Sequence, residues 1–142
     1  MILLVEDEAD DVFLMERAMR KAKLCFSMHN AKNGQEAVDY LQGAGKYSQR
    51  ATYPLPSLIF LDLKIPFIHG FEVLRWIRQQ PSLNGIPVIM LTSSLEASDQ
   101  EKAVKLGAEG FLIKPPAPEK LVQVFQDLPL IIKDRLRSNS LV

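Results

Sequence analysis

The chain has 142 residues, enough for one domain with a substantial core and too few for two. Seventeen basic side chains balance seventeen acidic ones, which removes the sequence-independent phosphate attraction on which most nucleic-acid binders rely, so no nucleic-acid partner is expected. Cys25 is the only cysteine, which excludes an internal disulfide and a cysteine-cluster metal site. No run approaches the roughly eighteen apolar residues of a membrane span, and Met1 to Asp7 lacks a basic region followed by a long apolar one, so a cytoplasmic protein without a membrane partner is expected.

Ile2-Leu3-Leu4-Val5 is a short apolar run that ends in Glu6-Asp7-Glu8, with further acids at Asp10 and Asp11. Leu14, Met15, Ala18, Met19 and Ala22 then recur at helical spacing, with Glu16, Arg17, Arg20 and Lys21 on the other side. Cys25 to Ala31 alternates weakly and reads as a second strand. Asn33-Gly34 opens a helix that carries Ala37, Val38 and Leu41. Gln42 to Ser57, with Gly43, Gly45, Pro54 and Pro56, is a polar loop longer than most connections.

Leu58-Ile59-Phe60-Leu61 reads as a strand buried on both faces, and it stops at Asp62. A helix follows from Gly70 to Arg78, with Phe71, Leu74 and Ile77 inward and Trp76 outward by periodicity, closed by Pro81. Ile86 to Leu91 is the fourth strand and ends in Thr92-Ser93-Ser94. Ala97 to Leu106 is helical, with Gly107 as its stop. Gly110 to Ile113 is the fifth strand, ending in Lys114-Pro115-Pro116, and Pro118 opens a last core helix with Leu121, Val122, Val124, Phe125 and Leu128 apolar.

Strands alternating with helices predict an α/β fold, a doubly wound parallel sheet joined by right-handed crossovers. Its ligand site should lie beyond the carboxyl ends of the strands, where Glu6, Asp7, Asp62, Thr92 and Lys114 all fall. Two carboxylates brought together there repel by about 4 kcal/mol at 4 Å in an effective dielectric near 20. Mg²⁺ would relieve that repulsion, because it takes one or two carboxylates and accepts phosphate oxygens. With the Lys114 ammonium also present, a phosphoryl group becomes a favourable guest, Thr92 can donate to it, and the Asp62 carboxylate is the natural nucleophile.

The acidic pair Glu6-Asp7, Asp62 followed by Pro66 and Gly70, Thr92-Ser93, and Lys114-Pro115, each after its strand, resemble the receiver domain of two-component response regulators. The resemblance implies a flavodoxin-like sheet of order 2-1-3-4-5, with a receiver domain over residues 1–128 and a C-terminal extension over 129–142. It implies a phosphoacceptor signalling protein that catalyses only its own phosphoryl transfer and dephosphorylation, with Asp62 phosphorylated by a sensor histidine kinase. By the same carry-over Asp7, Asp62 and the backbone carbonyl of Lys64 bind Mg²⁺, with Glu6 acting through water. Thr92 and Lys114 contact the phosphoryl oxygens, Thr92 and Phe111 form the switch, and the Lys114-Pro115 bond is cis. Glu6-Asp7, the long loop, Leu91-Thr92-Ser93-Ser94 and Lys-Pro-Pro are similar to the stand-alone regulators of bacterial phytochromes. Chemotaxis-type and phosphorelay shuttle regulators, and a receiver-like binding domain that is never phosphorylated, stand as alternatives.

Departures from the commonest receiver pattern include Glu6 for a frequent Asp, His69 for a frequent Asp, and Phe111 for a frequent Tyr, whose hydroxyl is lost. Lys64 sets a long cation beside Asp62, where it can alter how water reaches an acyl phosphate. Leu128, Leu130, Ile131, Ile132 and Leu136 make the C-terminal segment more apolar than a free tail, either to extend the core or to form a homodimer contact. With only residues 129–142 after the last core helix, output by binding is expected, to a target that the sequence does not name.

Other readings fit less well. Gly43-Ala44-Gly45-Lys46 has Tyr40 and Tyr47 where a nucleotide loop needs Gly and Ser or Thr. His29 and His69 have no partner at zinc-ligand spacing, and Met15, Met19 and Met90 read as packing. A flavin module would need a phosphate loop where Glu6-Asp7-Glu8 stands, and a haloacid-dehalogenase-type phosphatase would need an acid at Lys64.

Overall fold

In the computed structural model, which describes residues 1–140 and their side chains as far as Ser138, the apolar runs become five parallel strands in the order β2-β1-β3-β4-β5. These are β1 (Ile2–Val5), β2 (Met28–Ala31), β3 (Leu58–Asp62), β4 (Val88–Thr92) and β5 (Gly110–Ile113). Helices α1 (Ala9–Lys21), α2 (Gly34–Gln42), α3 (Gly70–Gln79), α4 (Ala97–Lys105) and α5 (Pro118–Asp127) link them, and α6 (Leu130–Ser140) follows.

Each strand run feeds two cores, because successive side chains point to opposite faces. Leu3, Val5, Ile59, Leu61, Val88 and Met90 meet α2 and α3 on one face. Ile2, Leu4, Leu58, Phe60, Ile89 and Leu91 meet α1, α5 and α6 on the other. The central strands are buried throughout, and each such Leu, Ile or Val side chain contributes about 1.5–3 kcal/mol relative to exposure. This explains continuous apolar runs rather than alternating ones.

Register fixes what lies at the sheet's carboxyl edge. Val5 pairs with Leu61, Asp62 with Leu91 and Thr92 with Ile113. The ladder runs one residue further, through Leu63 N–H to Leu91 C=O at 2.9 Å and Lys114 N–H to Thr92 C=O at 2.7 Å. Two glycines bring loops against this edge. A Cβ on Gly70 would strike the Asp62 carbonyl and Leu63, and one on Gly34 would strike Ile68.

Several expectations need correction. The second strand is shorter than Cys25 to Ala31: Cys25 is exposed, and Phe26 leaves the edge to stack on Phe125 with centroids 5.3 Å apart. Trp76, on α3, is not an outer-face residue but half-buried against the core. The long polar loop is ordered from within. It contains a single 3₁₀ turn (Gly45–Ser48), and Tyr47 packs 5.0 Å from both Tyr40 and Tyr53.

The C-terminal segment extends the core through some of its apolar residues and leaves others exposed. Leu128, Ile132 and Leu136 are buried in the core with α1 and α5, whereas Leu130 and Ile131 remain 69% and 58% exposed. Residues 141 and 142 of the expected extension lie outside the described residues. No helix among the described residues is long and apolar enough to cross a membrane.

Arg50 ties the loop to the end of α2, where carbonyls lack helical partners. Its guanidinium donates to the carbonyls of Tyr40 at 2.8 Å, Leu41 at 3.0 Å and Tyr53 at 3.1 Å. Arg50→Ala should therefore lower the unfolding free energy by about 1–3 kcal/mol in urea titrations. An unchanged midpoint would mean that the tyrosine packing alone holds the segment.

Candidate functional site

The carboxyl edge gathers side chains from four elements. β1 ends at Val5, so Glu6 and Asp7 form the turn into α1. The Asn30 amide on β2 steadies that turn by donating to the carbonyls of Leu4 and Glu6, both at 3.1 Å. Glu6 is buried, with Oε2 accepting from the Asp7 N–H at 3.0 Å and Oε1 facing Lys114. Asp62 is buried at the end of β3, and its Oδ1 accepts from the Lys64 N–H at 3.3 Å.

Lys114 closes the site from the end of β5. Its Nζ donates to Glu6 Oε1 at 2.8 Å, Asp11 Oδ2 at 2.9 Å and Asp62 Oδ2 at 3.0 Å. The Lys114-Pro115 bond is cis. Asp7 stands on the exposed side of the turn. Glu6, Asp7 and Asp62 each offer a carboxylate oxygen, all within 4.8 Å of one another. This hard oxygen set fits Mg²⁺ or Mn²⁺.

Five of the residues singled out in the sequence thus lie at one edge, with Glu6, Asp7 and Asp62 grouped and Lys114 bonded to Glu6 and Asp62. The fifth, Thr92, is buried at the end of β4, the strand beside Asp62, where its Oγ1 accepts from the Ser94 N–H at 3.0 Å. Phe111 is half-buried on the α4 side of β5, and the Lys64 side chain is exposed. Asp11 was missed by sequence reasoning. Its only signal was a position four residues after Asp7, one helical turn along.

A family model for the response regulator receiver domain matches residues 2–126. The chain belongs to that family. Among curated relatives, this receiver is 33% identical over 127 residues to response regulator Rcp1 of Synechocystis, covering 89% of the chain and 84% of Rcp1. The Mn²⁺-bound structure of Rcp1 superposes with a TM-score of 0.71, covering 87% and 86% of the two chains at 33% identity. The bacteriophytochrome response regulator RtBRR is 39% identical, with a TM-score of 0.81 and 91% and 77% coverage. The phosphorylated cyanobacterial phytochrome response regulator RcpA is 32% identical, with a TM-score of 0.74 and 87% and 86% coverage.

The receiver's charges are strongly coupled. Burial, reinforced by Asp62 and only partly offset by Lys114, pushes the Glu6 carboxyl up to about 8. Burial alone would lower Lys114, but its hydrogen bonds to Glu6, Asp11 and Asp62 outweigh that and hold it above the usual lysine range.

Metal-free folded protein therefore keeps the Glu6 proton up to about pH 8, while the unfolded chain releases it near 4.5. The contribution of Glu6 to stability is complete below that lower value and is lost as pH rises toward 8, a window in which Lys114 stays charged. Glu6→Gln fixes the neutral form and should flatten the decline, as followed by unfolding in chelator between about pH 5 and 9. An equally steep decline in the variant would contradict this assignment.

Proposed function

We propose that this receiver accepts a phosphoryl group on Asp62 from a sensor histidine kinase and signals by a change in its binding surface. The observation that carries the reading is the placing of the Asp62 carboxylate, 3.0 Å from the Lys114 ammonium and grouped with Glu6 and Asp7. Asp62 is held at the edge with its carboxylate fixed by Lys114 and the Lys64 N–H, so little reorganisation is needed before attack. An Asp62 oxygen forms the new O–P bond as the donor's P–N bond breaks, and the electron pair and a proton remain with the leaving imidazole.

Asp7, Asp62 and the backbone carbonyl of Lys64 would hold Mg²⁺, with Glu6 bound through water. The ion, when bound, offsets the carboxylates and the charge developing on the phosphoryl oxygens. Lys114 and Thr92 then contact those oxygens. Thr92 exchanges the Ser94 N–H for the phosphoryl group, and Phe111 turns inward, altering the face made by α4, β5 and α5. Driving such a switch from 1:99 to 99:1 needs a preference of about 5.5 kcal/mol for the active form. Exposed Lys64 is placed to govern how water reaches the acyl phosphate.

Similarity to RtBRR, Rcp1 and RcpA supports a phytochrome-type photoreceptor as the kinase. Exposed Leu130 and Ile131 on α6 support a homodimer, with residues 129–142 as an extension of the receiver. The reading places the protein in the cytoplasm, without enzymatic action on other substrates.

Incubation with Mg²⁺ and acetyl phosphate should add one phosphoryl group to the intact mass of the wild type and none to Asp62→Asn. Equal modification of both proteins, or of neither, would remove Asp62 from this role.

A further inference from the structure

Lys114 has three ammonium protons, and oxygens of three acidic side chains take them: Glu6 at 2.8 Å, Asp11 at 2.9 Å and Asp62 at 3.0 Å. No donor is left for a newcomer. If a phosphoryl oxygen is to bind Lys114, one of these carboxylates must give way. The Glu6 side chain is 1% exposed, so releasing it strands a buried acceptor; Asp62, 5% exposed, carries the phosphoryl group and keeps a buried carbonyl oxygen that still needs a donor, whereas Asp11 is 30% exposed and can be rehydrated where it stands. Asp11 lies in the first turn of α1, where the helix dipole favours a negative charge even without a partner. It is the replaceable member of the trio.

We propose that Asp11 is a positioning residue that competes with the phosphoryl group for the Lys114 ammonium, so that phosphorylation of Asp62 must displace it. The inference rests on Asp62 being the phosphoacceptor. In the ground state Asp11 holds Lys114 over the site, and in the phosphorylated state its place on Nζ passes to a phosphoryl oxygen. Asp11 thereby biases the receiver toward its unphosphorylated form. A purely structural role predicts the opposite sign, since loss of a supporting ion pair would loosen the site and weaken binding of a phosphoryl mimic.

The probe is beryllofluoride with Mg²⁺, titrated into the 142-residue chain and followed by calorimetry and by the backbone amide resonances around Asp62. Asp11→Asn and Asp11→Ala should bind it about three- to tenfold more tightly than wild type, the range expected for a partly exposed charge-assisted hydrogen bond. Asp11→Glu, which keeps the carboxylate, should stay within about twofold of wild type. Asp10→Asn removes the same charge one residue away without touching Lys114, and it too should stay within about twofold. Affinity for Mg²⁺ alone should change little in any of these variants. Equal or weaker binding by both neutral Asp11 variants overturns the proposal, as does an equal gain in Asp10→Asn, which would reduce the effect to general charge. A folded wild type that binds no beryllofluoride would instead sink the Asp62 reading on which the proposal stands.

Discussion

One ammonium facing three acidic side chains organises the carboxyl edge of this sheet. Lys114 reaches back from the end of β5 to Glu6, Asp11 and Asp62, residues 108, 103 and 52 positions away in the chain. Parallel strands make that meeting unavoidable. Once β1, β3 and β5 share a sheet in this register, whatever follows each strand must lie at the same edge. The cost is the desolvation of like charges, visible in a Glu6 carboxyl pushed up to about 8. Buried apolar side chains on both faces of the sheet supply the stability against which that cost is set.

The arrangement makes chemical sense for a domain that receives charge. An edge crowded with acids, with the Lys114 ammonium fully committed, stands to gain from a divalent cation. Lys114 follows β5 directly, the strand that also carries Phe111, so the ammonium ties the acidic edge to that strand.

Much of this was legible in the sequence, and the reasons are specific. Apolar runs that each stop at one polar residue reported both the strands and the site, because a doubly buried parallel strand admits no polar residue before its end. Glu6, Asp7, Asp62, Thr92 and Lys114 were found in this way. Asp11 was not, since helical spacing places it on a face of α1 but cannot say that this face looks toward the end of β5. The loop after α2 read only as a long polar connection because its order comes from tertiary contacts, with Arg50 on three carbonyls and Tyr47 against Tyr40 and Tyr53. Periodicity alone left Trp76 on the surface, but it packs partly buried against the core on the α3 side. The C-terminal pattern showed apolar excess without direction, and only the packed α6 separates Ile132 and Leu136 from Leu130 and Ile131.

The central claim is that these converging acids are tolerable because Lys114 and a divalent cation together balance them. Titration of Mg²⁺ at pH 7 in buffers of different ionisation enthalpy tests it most directly, because an ion that relieves the crowding must expel the proton that Glu6 carries. The account predicts release of close to one proton per ion bound, with Mg²⁺ binding greatly weakened in Asp7→Asn. Binding without proton release, or equal binding by the variant, would contradict it.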